Sequence, residues 1–316
     1  MTKTGPTKAQ SKRAVKTAIL LLILLFLWFG LNYRQLYAAW AVRSETQLLE
    51  NLARNAPDEF QNPAPAEDDL NGKLSSDFWE FTTMNGGGKS SNEMDWHSTA
   101  IAFNQSLSLQ HFSDPVFETE GSDWHAPAAD QYNNVTLIGA SGFRPSRSRD
   151  VVLKFSAWVD REFYGTAGVI FQPVGTVRED GLIVKPLDML GFSIAGRESS
   201  IAGINGPFCY LALNSIPVTV QPLLLDARRL HTYEIRLRWM SRTEWLGSLA
   251  VDGLEQCQIT MPPFGPVEVH VWSDNSLVLT RPPRWWEIGP AMDLKYQNGG
   301  DKQFNLGMIQ IFEAER

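Results

Sequence analysis

The side chains best suited by type and spacing to do chemistry are Glu93 and Asp95, in Glu93-Met94-Asp95-Trp96-His97. On an extended segment residues i and i+2 share a face, so the two carboxyls would project together. Retaining cleavage of a glycosidic bond needs such a pair about 5 Å apart, one as nucleophile and one as acid/base. Two features count against Glu93 and Asp95 as catalytic residues. They sit in the polar stretch GGGKSSNEMD, where carboxylates are ordinarily solvated. Trp96, His97 and Ser98 also follow where a further acid would be wanted. The five histidines, His97, His111, His125, His231 and His270, show no H-x-x-x-H or H-x-H spacing, so no metal site is expected from them. Neither a G-x-S-x-G elbow nor a P-loop occurs.

Tryptophan is the stronger signal. Trp79, Trp96, Trp124, Trp158, Trp239, Trp245, Trp272, Trp285 and Trp286 all lie beyond residue 70. Pyranose rings present flat C–H faces that stack on aromatic faces, so exposed Trp beside polar groups suits sugar binding. Trp158 and Trp272 are out of phase with the apolar residues around them and would project from the face opposite the core. Trp96 and Trp124 each precede a histidine, and Trp285 and Trp286 are adjacent in RPPRWW; these complete the ligand-binding candidates. Trp239 is in phase and is assigned to the core. The competing reading covers the second face with loops and makes the other rings core as well, because Trp is buried on average.

These residues need elements to position them, and a membrane sets which side those elements work on. Thr17 to Tyr33, TAILLLILLFLWFGLNY, carries no charge. A hydrocarbon core of about 30 Å needs roughly 20 helical residues, and the snorkelling stems of Lys16 and Arg34 extend the run. Lys3, Lys8, Lys12, Arg13 and Lys16 precede it with no acid among them, so the positive-inside bias puts the N-terminus in the cytoplasm. Residues 1–16 read as a basic tail, 17–35 as a transmembrane signal anchor partnered by the lipid bilayer, and 36–69 as a helical stalk with a Pro-rich acidic linker. The stalk shows no sustained heptad, so a solvated spacer is expected rather than a coiled coil. The rival to an anchor is a cleaved signal ending at Ala39-Trp40-Ala41. Beyond residue 16 the chain has 23 of its 28 basic residues against 35 acids, a balance of −12 that excludes nucleic acid as a natural partner.

From Leu70 onward the pattern has period two. Ile101, Phe103, Leu107 and Leu109 alternate with polar residues, as do Val151 to Val159, Tyr233 to Trp239 and Val267 to Val271. Further strands are expected near 78–84, 133–139, 166–172, 189–195, 208–214, 218–225 and 303–313. Val251-Asp252-Gly253-Leu254 reads as a type I′ hairpin. One-sided strands without long amphipathic helices must pack sheet on sheet, so residues 70–316 are expected to form an all-β antiparallel two-sheet sandwich. The only cysteines, Cys209 and Cys257, lie in this exported part; a disulfide and two buried thiols are both open readings.

Asp69-Leu70-Asn71-Gly72 with Asp77-Phe78-Trp79-Glu80, then Ala167-Gly168-Val169-Ile170-Phe171, His231-Thr232-Tyr233-Glu234-Ile235, Val269 to Asn275 and Leu306 to Ile311 resemble strands of concanavalin A-like lectin/glucanase domains, the laminin-G-like jelly rolls. The resemblance implies a jelly roll over 70–316, and it implies sugar binding, glycan cleavage or protein contact alike. Family 16 glycoside hydrolases share this fold and carry E-x-D-x-E or E-x-D-x-x-E mid-domain; Glu93 and Asp95 match its first two acids, early in the domain and without the third. Such folds often hold a structural Ca²⁺, for which Ser273-Asp274-Asn275 offers oxygens, while no other cofactor is implied. The expectation is a membrane-anchored extracytoplasmic module that binds a glycan or cell-surface ligand without cleaving it, through Trp158 and Trp272. A family 16 type hydrolase of a β-glucan is the alternative, and a structural or assembly domain without small ligand the third.

Overall fold

The structure, a computed structural model, describes residues 8–55, 60–70, 74–75, 77–80, 98–103, 105–111, 134–160, 163–174, 176–177, 183–184, 189–196, 199, 201, 204–213, 216–263, 265–281, 285, 291–296 and 302–316. Helix α1 spans Lys8–Asn55 and contains Lys16–Tyr33, a stretch long and apolar enough to cross a membrane. The strands among the described residues are β1 (Ala66–Asp68), β2 (Trp79–Glu80), β3 (Ser98–Phe103), β4 (Ser106–His111), β5 (Asn134–Phe143), β6 (Arg149–Val159), β7 (Thr166–Pro173), β8 (Thr176–Val177), β9 (Ile183–Val184), β10 (Met189–Ala195), β11 (Gly206–Leu213), β12 (Ile216–Pro222), β13 (His231–Ser241), β14 (Glu244–Val251), β15 (Leu254–Met261), β16 (Val267–Asp274), β17 (Ser276–Arg281), β18 (Ala291–Tyr296) and β19 (Lys302–Glu315).

Two antiparallel sheets face each other. The eight-stranded sheet runs β15-β14-β13-β6-β19-β4-β3 with β1 added on β19, and the seven-stranded sheet runs β12-β11-β10-β7-β16-β5-β2. The alternation read in the sequence is what builds the core. Val151, Leu153, Phe155 and Ala157 on β6 meet Val267, Val269 and Val271 on β16, Ala167, Val169 and Phe171 on β7, and Tyr233, Ile235 and Leu237 on β13 in one buried cluster. The architecture is the expected all-β antiparallel two-sheet sandwich. Cys209 on β11 and Cys257 on β15 are joined by a disulfide that ties the two sheets together.

Three local features differ from the sequence expectation. The run 101–109 is a hairpin, not one strand. Gln105, with φ of 62°, turns the chain, and Ala102 then sits opposite Leu107 against the core. The two-residue turn reverses the inward phase, which period-two counting cannot see. Residues of the acidic linker belong to the sandwich. Ala66–Asp68 pair with Ile311–Ile309, and buried Asp68 accepts from Leu70 N at 2.8 Å, Ser75 N at 2.9 Å and Trp79 Nε1 at 2.6 Å. The stalk does not stand free either: Ala41 is buried, and Val42 packs on the core beside β11. At 252–253 the expected turn forms, with Asp252 and Gly253 both at positive φ.

Candidate functional site

Along β16 the even residues Glu268, His270, Trp272 and Asp274 alternate with the core valines and point away from the core. They form a row on the outer face of the seven-stranded sheet, about 7 Å from one to the next. The neighbouring strand β7 sets Gln172, Ile170, Gly168 and Thr166 opposite them in register. Gly168 matters most. A Cβ there would collide with the six-membered ring of the Trp272 indole, so the edge of that ring reaches over the glycine, and the half-buried side chain packs against the apolar cluster of the same face.

One step along the strand, His270 Nε2 lies 2.7 Å from Glu268 Oε1, and both side chains are nearly closed from solvent. On the other side of Trp272, Asp274 Oδ1 accepts from Thr166 Oγ1 at 2.9 Å. Beyond β7, the same face turns apolar. Ile170, Ala195, Phe208, Tyr210 and Ala212 cluster under Ile201 and Ile204, which bridge to each other. Asn205 Nδ2 staples that cover by donating to Gly196 O at 2.9 Å and Ser199 O at 2.6 Å. Burial pushes the Tyr210 phenol up, so it stays protonated across the physiological range. The face is thus divided into a closed apolar half and a polar row beginning at Trp272.

The sequence candidates are distributed differently from expectation. Trp272 is on this face, but Trp158 lies on β6, in the eight-stranded sheet, and projects from the opposite side of the sandwich. Equal phase on two strands says nothing of which sheet each strand joins, so the two rings cannot line one groove. Trp285 is 92 % exposed beyond β17, in the turn of the β17–β18 hairpin. Glu93, Asp95, Trp96, Trp124 and Trp286 lie outside the described residues; the strand that follows Glu93 and Asp95, β3, is at the edge of the eight-stranded sheet. The calcium expectation at 273–275 meets engaged oxygens. Ser273 Oγ is 3.0 Å from His111 Nε2, and Asp274 is held by Thr166. Among the described residues no group of three or more His, Cys, Asp or Glu side chains could hold a metal ion. Glu268, His270 and Gly168 were not singled out from the sequence. The i, i+2 rule applied to Glu93 and Asp95 fits Glu268 and His270 equally, but only the sheet shows that their face carries a platform.

No family model matches the chain, and no curated protein matches it. Solved structures do share the architecture. A prokaryotic β-1,3-1,4-glucanase (lichenase) derived from a mouse hindgut metagenome is 14 % identical, with 79 % of this chain and 99 % of that one covered and a TM-score of 0.44. Bacillus licheniformis β-glucanase is 13 % identical over 80 % and 100 %, with a TM-score of 0.46. An endo-1,3-β-glucanase from Streptomyces sioyaensis is 10 % identical over 83 % and 100 %, with a TM-score of 0.47. These proteins are named for glycan cleavage. Those names stand against the expectation of a non-catalytic binding module, and the one groove it drew from Trp158 and Trp272 does not exist, because the two rings lie on opposite sheets.

Proposed function

We propose that the domain is a glycan-cleaving enzyme of the glycoside hydrolase kind, held on the outer side of a membrane by α1. The observation that supports it is the row on β16: a sugar platform, Trp272, laid over Gly168, with the closed Glu268–His270 pair next along the strand. A pyranose stacked on Trp272 lies about 7 Å from His270, within the span of one sugar residue. Glu268, oriented by His270 at 2.7 Å, acts as the acid that protonates the glycosidic oxygen as the C–O bond breaks. Water adds its hydroxyl to the anomeric carbon and gives up its proton to a second carboxyl. Asp274 does not fill that second role, because six residues of strand put it about 20 Å from Glu268.

The anchor reading draws support from α1 itself. The helix continues unbroken through Ala39-Trp40-Ala41, and Ala41 and Val42 are packed onto the domain rather than offered to a peptidase. The basic tail stays in the cytoplasm and the sandwich lies outside. The test is an assay of the full chain in detergent for reducing ends released from β-1,3- and mixed-linkage glucans and from galactans. We expect release, with Trp272→Ala raising KM at least about tenfold and Trp158→Ala leaving it unchanged. No release from any polysaccharide of the panel, or equal effects of the two substitutions, overturns the proposal.

A further inference from the structure

The outer face of the eight-stranded sheet carries a second ring in a polar setting. Trp158, half-buried, projects from β6 between the inward Ala157 and Val159. Asn305 on β19 is its direct partner in register, and Ser108 on β4 is the next one across. One step along those two strands, Gln303 and Gln110 are paired on the same face. Asp160 N donates to Gln303 O at 3.2 Å and closes the corner beside the ring. Three adjacent strands thus bring a ring and a row of amides together, with Ser108 about 10 Å from Trp158.

The side chains beside the ring order one another. Gln110 Nε2 donates to Ser108 Oγ at 3.2 Å, and Ser108 Oγ donates to Gln303 Oε1 at 3.4 Å. That relay uses the nitrogen of one amide and the oxygen of the other. It leaves, among the described residues, the Gln303 amide nitrogen as a donor and the Gln110 amide oxygen as an acceptor. A sugar hydroxyl both donates and accepts, so a donor and an acceptor side by side fit neighbouring hydroxyls, while the ring fits a C–H face. Charge narrows the ligand further. Asp160, two residues beyond Trp158, is bonded by the Asn305 side chain, and burial raises its carboxyl above the ordinary value. The cation nearest to Trp158 on β6, Lys154, is four residues or about 13 Å away. An acid close by and a cation far off disfavour uronates and phosphates and leave a neutral glycan.

We infer that Trp158, Asn305, Gln303 and Gln110 form a second glycan-holding surface, which takes a neutral polysaccharide chain on the sheet opposite Trp272. Stacked sheets lie about 10 Å apart, and each outer face adds its own layer of side chains, so one stretch of polysaccharide does not lie on both faces. A chain held on Trp158 keeps particulate substrate beside the domain while another chain is bound along β16. The choice of polymer rests on the glycan-cleaving reading. Holding itself requires no turnover, and KM for dissolved glucans stays independent of Trp158.

The test is retention of the full chain, in detergent, on particles of β-1,3-glucan, mixed-linkage glucan and galactan. Trp272→Ala serves as the parent, so that the row on β16 contributes little. We expect the parent to be retained on at least one kind of particle. Adding Trp158→Ala should weaken that retention at least about tenfold, and adding Gln110→Ala with Gln303→Ala at least about threefold. The two glutamines lie outside the core, so their loss is read even where Trp158→Ala lowers Tm. Polyuronate particles should retain none of these proteins. No retention of the parent on any particle, equal retention with and without Trp158, or Trp158-dependent retention on the polyuronate overturns the surface. Failure of the hydrolase reading looks different: dissolved glucans then release no reducing ends, while retention through Trp158 persists.

Discussion

At the scale of single residues, the account depends on Gly168 and on a few buried polar groups. Gly168→Ala places a methyl against the Trp272 ring and the Phe192 carbonyl, so it should reproduce the KM defect of Trp272→Ala and also lower Tm. Kinetics and thermal unfolding of the same preparation check both effects; an unchanged KM would detach Trp272 from substrate. Lys302 gives a pH signature. Desolvation at the start of β19, with the ammonium against the Tyr164 ring, pulls its pKa down to about 6 from 10.5. Between those values the unfolded chain holds the proton and the folded chain does not. Stability therefore rises with pH through this window, by up to about 1.4 kcal/mol per pH unit, and the full penalty applies below the lower value. Lys302→Met should unfold at higher urea than wild type at pH 7 and lose that rise. A parallel pH dependence of the two proteins would contradict the assignment. Asp150 behaves in the opposite sense. Burial alone would raise it, but hydrogen bonds from Arg238 and Arg316 outweigh burial and hold it below the usual carboxylate range. Its contribution is present at neutral pH and fades as pH falls through the lowered value.

At the scale of elements, the sequence and the structure agree where one residue type repeats on one face. The valines of β16 and the alternating residues of β6 and β13 announce themselves as strands, and Asp252-Gly253 announces its hairpin, because period and turn chemistry are local properties. Agreement fails where a two-residue turn resets the phase, as at Gln105, and where a short segment is recruited by a distant partner, as Ala66–Asp68 are by β19. The acids and prolines before residue 70 read as linker by composition alone. Only the three donors converging on Asp68 show that this segment closes the edge of the sandwich. Asp68→Ala leaves those donors without a buried acceptor and should cost about 3 kcal/mol, read from urea denaturation. A loss within about 0.5 kcal/mol would mean that the segment is peripheral. The candidate site was half legible for the same reason. The outward phase of Trp272 can be counted along its strand, but its bed on Gly168 and its separation from Trp158 are facts of sheet order.

At the scale of the whole molecule, one apolar helix is joined to one disulfide-tied sandwich. The Cys209–Cys257 bond closes 48 residues of chain, for which loop entropy assigns a contribution of about 4 kcal/mol. Reduction under mild conditions, which converts the bond to two thiols, should accordingly lower Tm by many degrees. An unchanged Tm would show the bond to be incidental. The central claim is that the outer face of the seven-stranded sheet does the chemistry through Glu268 and His270. The most direct measurement is the rate of reducing-end release at saturating polysaccharide by Glu268→Gln, compared with wild type and with Lys154→Gln on the outer face of the other sheet. A fall of at least about 10²-fold for Glu268→Gln, with the Lys154 variant unaffected, is the predicted result. Wild-type turnover by Glu268→Gln would contradict the account.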